Sequence, residues 1–408
     1  MKYLVAVFVA CISACDSSYA RDVATADNIT PGITTLLADS AHLIAGKRVG
    51  LITNHTGRDA TGRSSIDLLF KAPGVRLTAL FAPEHGIRGA AEGGAKIASG
   101  VDAATGVPIY SLYGATKVPT AKMLDNLDVL VYDIQDVGAR MYTYVWTMTL
   151  AAEAAKKAGK TFIIADRPNP IRDDIAEGGM IEAKFRSFTG LHDVPLRYGL
   201  TVGELGRYLS GTRQIDAAVI VAPMKGYRKS MWYDETGLEW TAPSPNIRDF
   251  EAALMYPGIS FFEATNVSEG RGTPTPFRLI GASWLTDAAV IARTMNSKRL
   301  DGVKFAATRQ AIRRGEKFGG MSIPMVSIVV TDRNAVRSSI IAVHLLREIY
   351  SRHPKQFKWQ AGNGIEELSG SRRLRAAVEN GRIDDLLDSW KYESSSFLKR
   401  TSMFKLYK

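Results

Sequence analysis

The stretch Val75-Arg-Leu-Thr-Ala-Leu-Phe-Ala-Pro-Glu-His-Gly-Ile-Arg-Gly89 predicts both how the chain folds and where its chemistry lies. Its first half is an apolar run whose length and β-branched or aromatic content suit a buried strand. Pro83 cannot donate to a sheet, so the strand should end there, and the glycines that follow allow a sharp turn. Glu84, His85 and Arg88 therefore follow the end of a strand, which is where open α/β sheets bind ligands.

Other apolar runs of strand length alternate with helical patterns through the first half of the chain. The predicted strands lie at 48–53, 107–111, 129–134, 161–165 and 217–222, and the clearest predicted helices lie at 64–71 and 146–158. This alternation predicts a parallel sheet with crossover helices. A second body follows, with a predicted strand at 323–330, a helix at 338–350 and one or two helices within 371–390. We therefore predict domains at 21–250 and 251–408 after a leader at 1–20.

Composition is that of an ordinary globular protein, with 46% hydrophobic and 23% charged residues among 408. The net charge of +11 arises from scattered residues without a basic block or a nucleic-acid motif, so we expect no nucleic-acid partner. A basic surface also suits contact with anionic cell-envelope material, although a solvated surface without a partner explains it equally. The oligomeric state stays open.

The first twenty residues resemble an export signal. A basic start precedes an apolar run too short to span a membrane, and Ser18-Tyr19-Ala20 has the small residues of a signal-peptidase site. A second interpretation is that Ile12-Ser-Ala-Cys15 is a lipobox, so that Cys15 becomes a lipidated N-terminus and the only contact with a membrane. Both predict an exported protein, either periplasmic or lipid-anchored in the envelope. No cysteine follows Cys15, which leaves the body without a disulfide, thiol nucleophile or thiolate metal site.

Polar clusters follow three of the predicted strands, and a fourth cluster lies in the second body. Because parallel strands end at one edge of a sheet, we expect the first three clusters to converge. Their candidate residues, with those of the glycine-rich fourth cluster, are Glu84, His85, Arg88; Asp133, Gln135, Asp136, Arg140, Tyr142, Tyr144; Asp166, Arg167, Asn169; and Asn266, Glu269, Arg271.

Structural explanations compete with functional ones for these residues. Asp133 and Asp166 can cap helices or pair with arginines, and the tyrosines can simply pack. An ion pair with Arg88 is the structural explanation for Glu84, but a carboxylate between proline and His-Gly has no evident structural benefit.

Several kinds of site are not predicted. The six histidines show no H-x-x-x-H or H-E-x-x-H spacing, so we expect no metal site. No Walker A loop, no G-x-G-x-x-G after the first strand and no G-x-S-x-G elbow occurs, and we expect no cofactor. Carboxylates with Tyr, Arg and Asn remain, an inventory that suits glycoside hydrolysis.

Four long motifs in order resemble one known family. They are Phe81-Ala-Pro-Glu-His-Gly86, Tyr132-Asp-Ile-Gln-Asp-Val-Gly-Ala-Arg140, Asp166-Arg-Pro-Asn-Pro170 and Thr265-Asn-Val-Ser-Glu-Gly-Arg-Gly272. They are similar to those of the NamZ-type exo-β-N-acetylmuramidases, glycoside hydrolase family 171, long described as a domain of unknown function. The similarity runs from about Gly46 to the C-terminus. One departure is His55, where proline is expected in many relatives.

The resemblance implies an α/β fold in which a Rossmann-like parallel-sheet domain and a smaller C-terminal α+β domain enclose an active-site cleft. It implies removal of N-acetylmuramic acid from the non-reducing end of peptidoglycan fragments, with Glu84 as the catalytic carboxylate. Asp136, Glu269 and Tyr142 are candidates for a second catalytic residue. Arg140, Arg167 or Arg271 is suited to binding the lactyl carboxylate of that sugar, since an arginine fork binds carboxylates bidentately. A non-catalytic muropeptide-binding protein and a different envelope hydrolase are the alternatives.

Overall fold

The computed structural model describes residues 28–87, 98–362 and 364–408, so the predicted leader, Cys15 and Arg88 lie outside it. The strands within these ranges are β1 (Arg48–Thr53), β2 (Arg76–Ala82), β3 (Gly100–Val101), β4 (Pro108–Ser111), β5 (Val129–Asp133), β6 (Thr161–Ala165), β7 (Ile220–Ala222), β8 (Leu279–Gly281), β9 (Val303–Ala311) and β10 (Ser322–Val330). The α-helices are α1 (Gly32–Ala38), α2 (Ser65–Lys71), α3 (Ala121–Leu124), α4 (Tyr144–Lys157), α5 (Val202–Gly211), α6 (Phe250–Ile259), α7 (Ala288–Ser297), α8 (Ser338–Arg352), α9 (Gly364–Ser369), α10 (Arg373–Asn380) and α11 (Ile383–Thr401).

Seven of the described strands form one sheet in the order β3-β4-β2-β1-β5-β6-β7. All neighbouring pairs are parallel except β3 with β4. The order reverses at β1, which lies between β2 and β5, so the carboxyl ends of these three strands border the crevice where such sheets bind ligands. The predicted Rossmann-like α/β domain is confirmed.

Local sequence signals place several ends of helices correctly. Ser64 Oγ accepts a hydrogen bond from Ile66 N at the start of α2, and Thr201 with Glu204 forms a capping box at the start of α5. Gly159 follows α4 with a φ of 68°, the left-handed conformation that ends helices. These signals are local, which is why the sequence alone predicts them.

The second half of the chain was predicted less completely. Its three described strands form an antiparallel sheet in the order β8-β10-β9, and the sequence predicted only β10, together with α8, α10 and the start of α11. Helix α6 is apolar on nearly all sides and contains Pro257, so neither its periodicity nor its composition indicates a helix. Strand β9 is largely exposed and polar, which removes the apolar signal of a buried strand.

The two halves share one continuous core, since buried side chains of both belong to a single hydrophobic cluster. Polar contacts fix the same arrangement. Glu177, paired with buried Arg197, accepts hydrogen bonds from the backbone N (3.1 Å) and Oγ (2.8 Å) of Ser339 at the start of α8. Tyr407 in the C-terminal tail donates to Asp166 at 2.7 Å. The second half therefore forms a fixed wall against the carboxyl edge of the sheet.

Candidate active site

Glu84 lies in a tight turn immediately after β2. Gly86 N donates to Pro83 O at 3.0 Å, and His85 and Gly86 have φ values of 68° and 73°. The left-handed conformation is costly for a residue with a Cβ, so His85 is held there by its surroundings. The turn directs the Glu84 side chain toward the second half of the chain, where it lines a cavity.

Two hydroxyl groups hold the Glu84 carboxylate. Thr143 Oγ1 donates to Glu84 Oε2 at 2.7 Å, and the Tyr113 hydroxyl also hydrogen-bonds to Glu84. Thr143 precedes α4 without capping it through its side chain, which leaves that hydroxyl available to Glu84. Burial and the neighbouring Glu84 raise the pKa of Tyr113, so Tyr113 stays protonated and acts as the donor.

The cavity at Glu84 has a volume of about 330 Å³ and is lined by both halves of the chain. This is the lower end of the range of ligand pockets, ~300–1,000 Å³, and suits one monosaccharide. The first half contributes Glu84, His85, Tyr113, Tyr142, Thr143 and Thr189, together with residues 244–247. The second half contributes Tyr256, Glu263, Arg271 and Phe277.

Residues 244–247 form a wall whose position depends on the partly buried His55 and the buried Tyr144. His55 Nε2 hydrogen-bonds to Ala242 O at 2.8 Å, and the Tyr144 hydroxyl donates to Pro243 O at 2.8 Å. Burial lowers the pKa of His55, which keeps the imidazole neutral near pH 7. Tyr144 was predicted to contact substrate, but it is buried and supports the wall of the cavity.

Arg271 supplies a guanidinium group to the cavity, and two carboxylates form ion pairs with it. Its Nη2 lies 2.7 Å from Glu263 Oε1 and its Nε lies 3.0 Å from Glu269 Oε1. Glu269 is buried and also binds Lys317 Nζ at 3.0 Å. Lys317 donates further to the carbonyl of Phe262 at 2.8 Å, which fixes the loop carrying Glu263. Glu269 therefore orients Arg271 from behind, whereas Glu263 and Arg271 face the cavity.

Burial and neighbouring charges together set the pKa values of these groups. Burial raises the pKa of Glu263, and the attraction of Arg271 opposes that effect. Burial disfavours the charged form of Arg271, but Glu263 and Glu269 outweigh it and raise its pKa. Burial also raises the pKa values of Tyr142 and Tyr256 well above 10, so both present neutral hydroxyl groups to the cavity.

Several residues predicted to bind substrate instead hold the sheet edge together. Asp133 and Arg167 form a fully buried ion pair at the ends of β5 and β6, joined by the Ser65 hydroxyl. Asp166 accepts hydrogen bonds from Thr201 Oγ1 and Gly203 N at the start of α5. The structural explanations offered by the sequence, pairing and capping, are confirmed for these carboxylates.

The remaining candidates from the same strand ends are also engaged inside the protein. Arg140 is completely buried and donates to the carbonyl groups of Gly179, Val194 and Leu368 at 2.8, 2.8 and 3.0 Å. Gln135 Nε2 donates to Pro168 O and Asp136 O, and Asn169 Nδ2 donates to Leu200 O. None of the three lines the cavity, because each is held by carbonyl groups inside the protein.

Asp136 and Asn266 were also placed in the site by sequence reasoning and lie elsewhere. Asp136 is buried against the Tyr198 hydroxyl and accepts from Gly138 N at 2.7 Å, while its Oδ1 has no partner. Asn266 joins two loops of the second half through Gln356 O and Lys358 N. Of the candidates for a second catalytic residue, only Tyr142 lines the cavity.

Sequence reasoning missed Tyr113, Thr143, Ser244, Asn246, Tyr256 and Glu263 as lining residues. Glu263 lies just before the motif Thr265–Gly272, and Thr143 lies between Tyr142 and Tyr144. For both residues, the available signal in the sequence was their position next to predicted site residues. Tyr113 and Tyr256 belong to no pattern, because only the fold brings them to Glu84.

Fold and cavity together define a class of protein: a two-domain protein with a Rossmann-like parallel sheet, whose carboxylate-lined cavity has the chemistry of a glycosidase site. The family models for the N-terminal and C-terminal parts of the exo-β-N-acetylmuramidase NamZ match residues 49–251 and 254–407. The chain belongs to the NamZ family, as its motifs predicted.

Individual relatives agree with this assignment. The chain is 40% identical over 380 residues to the peptidoglycan β-N-acetylmuramidase NamZ of Bacillus subtilis (strain 168), covering 93% of this chain and 91% of that protein. Two crystal structures of DUF1343 family proteins from Bacteroides fragilis NCTC 9343 share the fold. One has a TM-score of 0.86 at 35% identity, the other 0.73 at 27%, and each comparison covers 93% of this chain and 99% of that one.

A prediction about the buried carboxyl of Asp136 distinguishes a structural role of this residue from a catalytic one. Burial raises its pKa to about 7, so the folded state binds this proton more tightly than the unfolded state. Its contribution to stability is complete below pH ~4 and is lost as the pH rises to ~7. Asp136→Asn should remove this slope, on the order of 4 kcal/mol in unfolding free energy, and should retain activity. Urea unfolding between pH 4.5 and 8 measures the slope, and a loss of activity beyond a hundredfold in a folded variant would contradict the assignment.

Proposed function

We propose that this protein is an exo-acting glycosidase that releases N-acetylmuramic acid from the non-reducing end of peptidoglycan fragments. One observation carries the proposal: Glu84 lies in a monosaccharide-sized cavity that Glu263 and Arg271 complete from the other half of the chain. Membership of the NamZ family supports the same reaction.

Glu84 is the catalytic carboxylate of this proposal. As general acid, the protonated Glu84 side chain donates its proton to the glycosidic oxygen while the bond from that oxygen to the anomeric carbon breaks, and water then supplies the hydroxyl group at that carbon. The hydroxyl groups of Thr143 and Tyr113 hold the Glu84 side chain in one orientation, which limits its motion relative to the substrate.

The second carboxylate that lines the cavity is Glu263. It replaces Asp136 and Glu269 as the candidate for the second catalytic group, since neither of those lines the cavity. Glu263 is suited to stabilise the positive charge that develops on the sugar ring or to activate water.

Arg271 is the candidate for recognising the lactyl carboxylate. Arg140 and Arg167, the other candidates, are buried in structural contacts away from the cavity. Glu269 holds Arg271 through Nε, so the guanidinium has a defined plane that faces the cavity. A carboxylate that reaches this fork gains charge-assisted hydrogen bonds, which N-acetylglucosamine cannot form.

Glu84→Gln tests the acid role through its dependence on the leaving group. The variant should lose ~10²–10⁴-fold in kcat/KM on the disaccharide of N-acetylmuramic acid and N-acetylglucosamine, whose leaving oxygen needs a proton. It should lose far less on a 2,4-dinitrophenyl muramide, whose leaving group needs none. Product analysis by chromatography measures both, with the exposed Glu239→Gln as the matched control. Undiminished turnover of the disaccharide would refute the role, and wild-type binding without turnover would favour the non-catalytic alternative.

Arg271→Met tests the recognition of the lactyl group. Its loss should lower the preference for muramides over the corresponding N-acetylglucosaminides by ~10–100-fold, because a hydrogen bond to a charged group contributes ~1.5–3 kcal/mol. The measured quantity is the ratio of kcat/KM for the two substrates, from which a general loss of activity cancels. Arg271→Lys should recover part of the preference, since a point charge replaces the planar fork. An unchanged ratio in both variants would exclude this role.

Export to the cell envelope is part of the proposal and rests on the leader sequence. Such a location brings the enzyme to its peptidoglycan substrate. Within the part of the chain that the structure covers, no helix is long and apolar enough to cross a membrane. The intact mass of the mature protein should show cleavage after Ala20 or a diacylglycerol-modified Cys15, which Cys15→Ser would abolish. A full-length unmodified chain from envelope fractions would overturn the export proposal.

A further inference from the structure

A pair of aromatic rings adjoins the cavity on the side of Glu84, and the mechanism uses only the hydroxyl group of one of them, Tyr113. It consists of Tyr113 and Phe188, whose ring centroids lie 6.2 Å apart at an angle of 43°. Both side chains are partly exposed, and Tyr113 and Thr189 belong to the lining of the cavity. Two separate loops, after β4 and before α5, supply the two rings.

Phe188 has a rigid support. Ser187 and Gly190 exchange backbone hydrogen bonds of 3.2 and 2.9 Å, so Phe188 and Thr189 form the tip of a tight turn. Gly190 is packed closely, since a Cβ there would lie 2.9 Å from Ile181 Cδ1. The ring is therefore presented by a fixed backbone, as a preformed binding surface requires.

The reaction determines which part of the substrate meets this pair of rings. The saccharide that leaves is attached through the oxygen that Glu84 protonates, so it must extend from Glu84 out of the cavity. Tyr113 hydrogen-bonds to Glu84, and Phe188 lies beside Tyr113. Glu263 and Arg271 come from the other half of the chain, and the cavity has room for one sugar only.

We propose that Tyr113 and Phe188 form the subsite for the leaving saccharide, an N-acetylglucosamine residue at the reducing-end side of the scissile bond. The inference rests on the proposed function. Apolar C–H faces of a pyranose pack on aromatic rings, and no charged group is needed, which fits a neutral aminosugar. The Lys117 ammonium lies 4.1 Å from the centre of the Phe188 ring, but Lys117 is exposed, and an exposed cation–π contact is weak enough for the sugar to displace.

Phe188→Ala tests the subsite without touching Glu84. Its kcat/KM on the disaccharide of N-acetylmuramic acid and N-acetylglucosamine should fall about tenfold. On β-N-acetylmuramoyl fluoride, which has no leaving saccharide, its kcat/KM should stay within about twofold of wild type. The inhibition constant of free N-acetylglucosamine should rise by a similar factor to the loss on the disaccharide. Phe188→Trp should preserve all three values, and Tyr392→Ala, an exposed aromatic residue on α11, is the control.

The possible results distinguish failure of the subsite from failure of the proposed glycosidase function. A loss confined to the disaccharide, recovered in Phe188→Trp, establishes the subsite. An equal loss on both substrates, or no loss on either, overturns it while the glycosidase function stands. If the wild type cleaves neither substrate, the proposed function itself fails.

Discussion

The buried ion pair between Asp133 and Arg167 is the contact on which the geometry of the sheet edge depends. It joins the carboxyl ends of β5 and β6, and Arg167 also holds the backbone of Arg58 at 2.7 Å while Ser65 at the start of α2 binds Asp133. Removing one member would leave an uncompensated buried charge, which typically costs about 3–5 kcal/mol. Both side chains are engaged by this pair at the centre of the sheet edge, and the cavity that Glu84 lines lies beyond the end of β2.

The candidate site uses the two halves of the chain for different purposes. The first half supplies Glu84 on a strained turn with hydroxyl partners, an arrangement that places one carboxylate accurately. The second half supplies Glu263 and Arg271, with Glu269 and Lys317 behind them. The positive charges of Arg271 and Lys317 balance the negative charges of Glu263 and Glu269. A further anion is therefore attracted by the fixed guanidinium of Arg271 and not by a net positive patch. The shared core packs these halves against each other.

Sequence reasoning was strongest where the signal was local. Strand β5 is apolar up to its last residue, Asp133, because both faces of the sheet are covered, and the caps at Ser64 and Thr201 lie next to the helices they begin. It was weakest in the second half, where α6 lacks helical periodicity and β9 is largely exposed, with few large apolar residues. At the site, the polar clusters that follow the strands were expected to converge on one cavity. The clusters after β5 and β6 are instead buried and bonded within the protein. Polar residues at a sheet edge bind ligands or one another, and their sequence does not distinguish the two.

The sequence by itself determined the family, the parallel-sheet architecture and the position of Glu84 after a strand. The motifs, the hydrophobic periodicity and Pro83 are signals formed by residues that lie close together in the chain. Only the tertiary structure decided which charged residues face the cavity. Asp136 and Arg140 lie in a motif yet are buried, whereas Glu263 reaches the cavity from a short 3-10 helix and Tyr113 from a loop. Burial and pairing depend on neighbours distant in the chain, and these neighbours are specified by packing rather than by any local pattern.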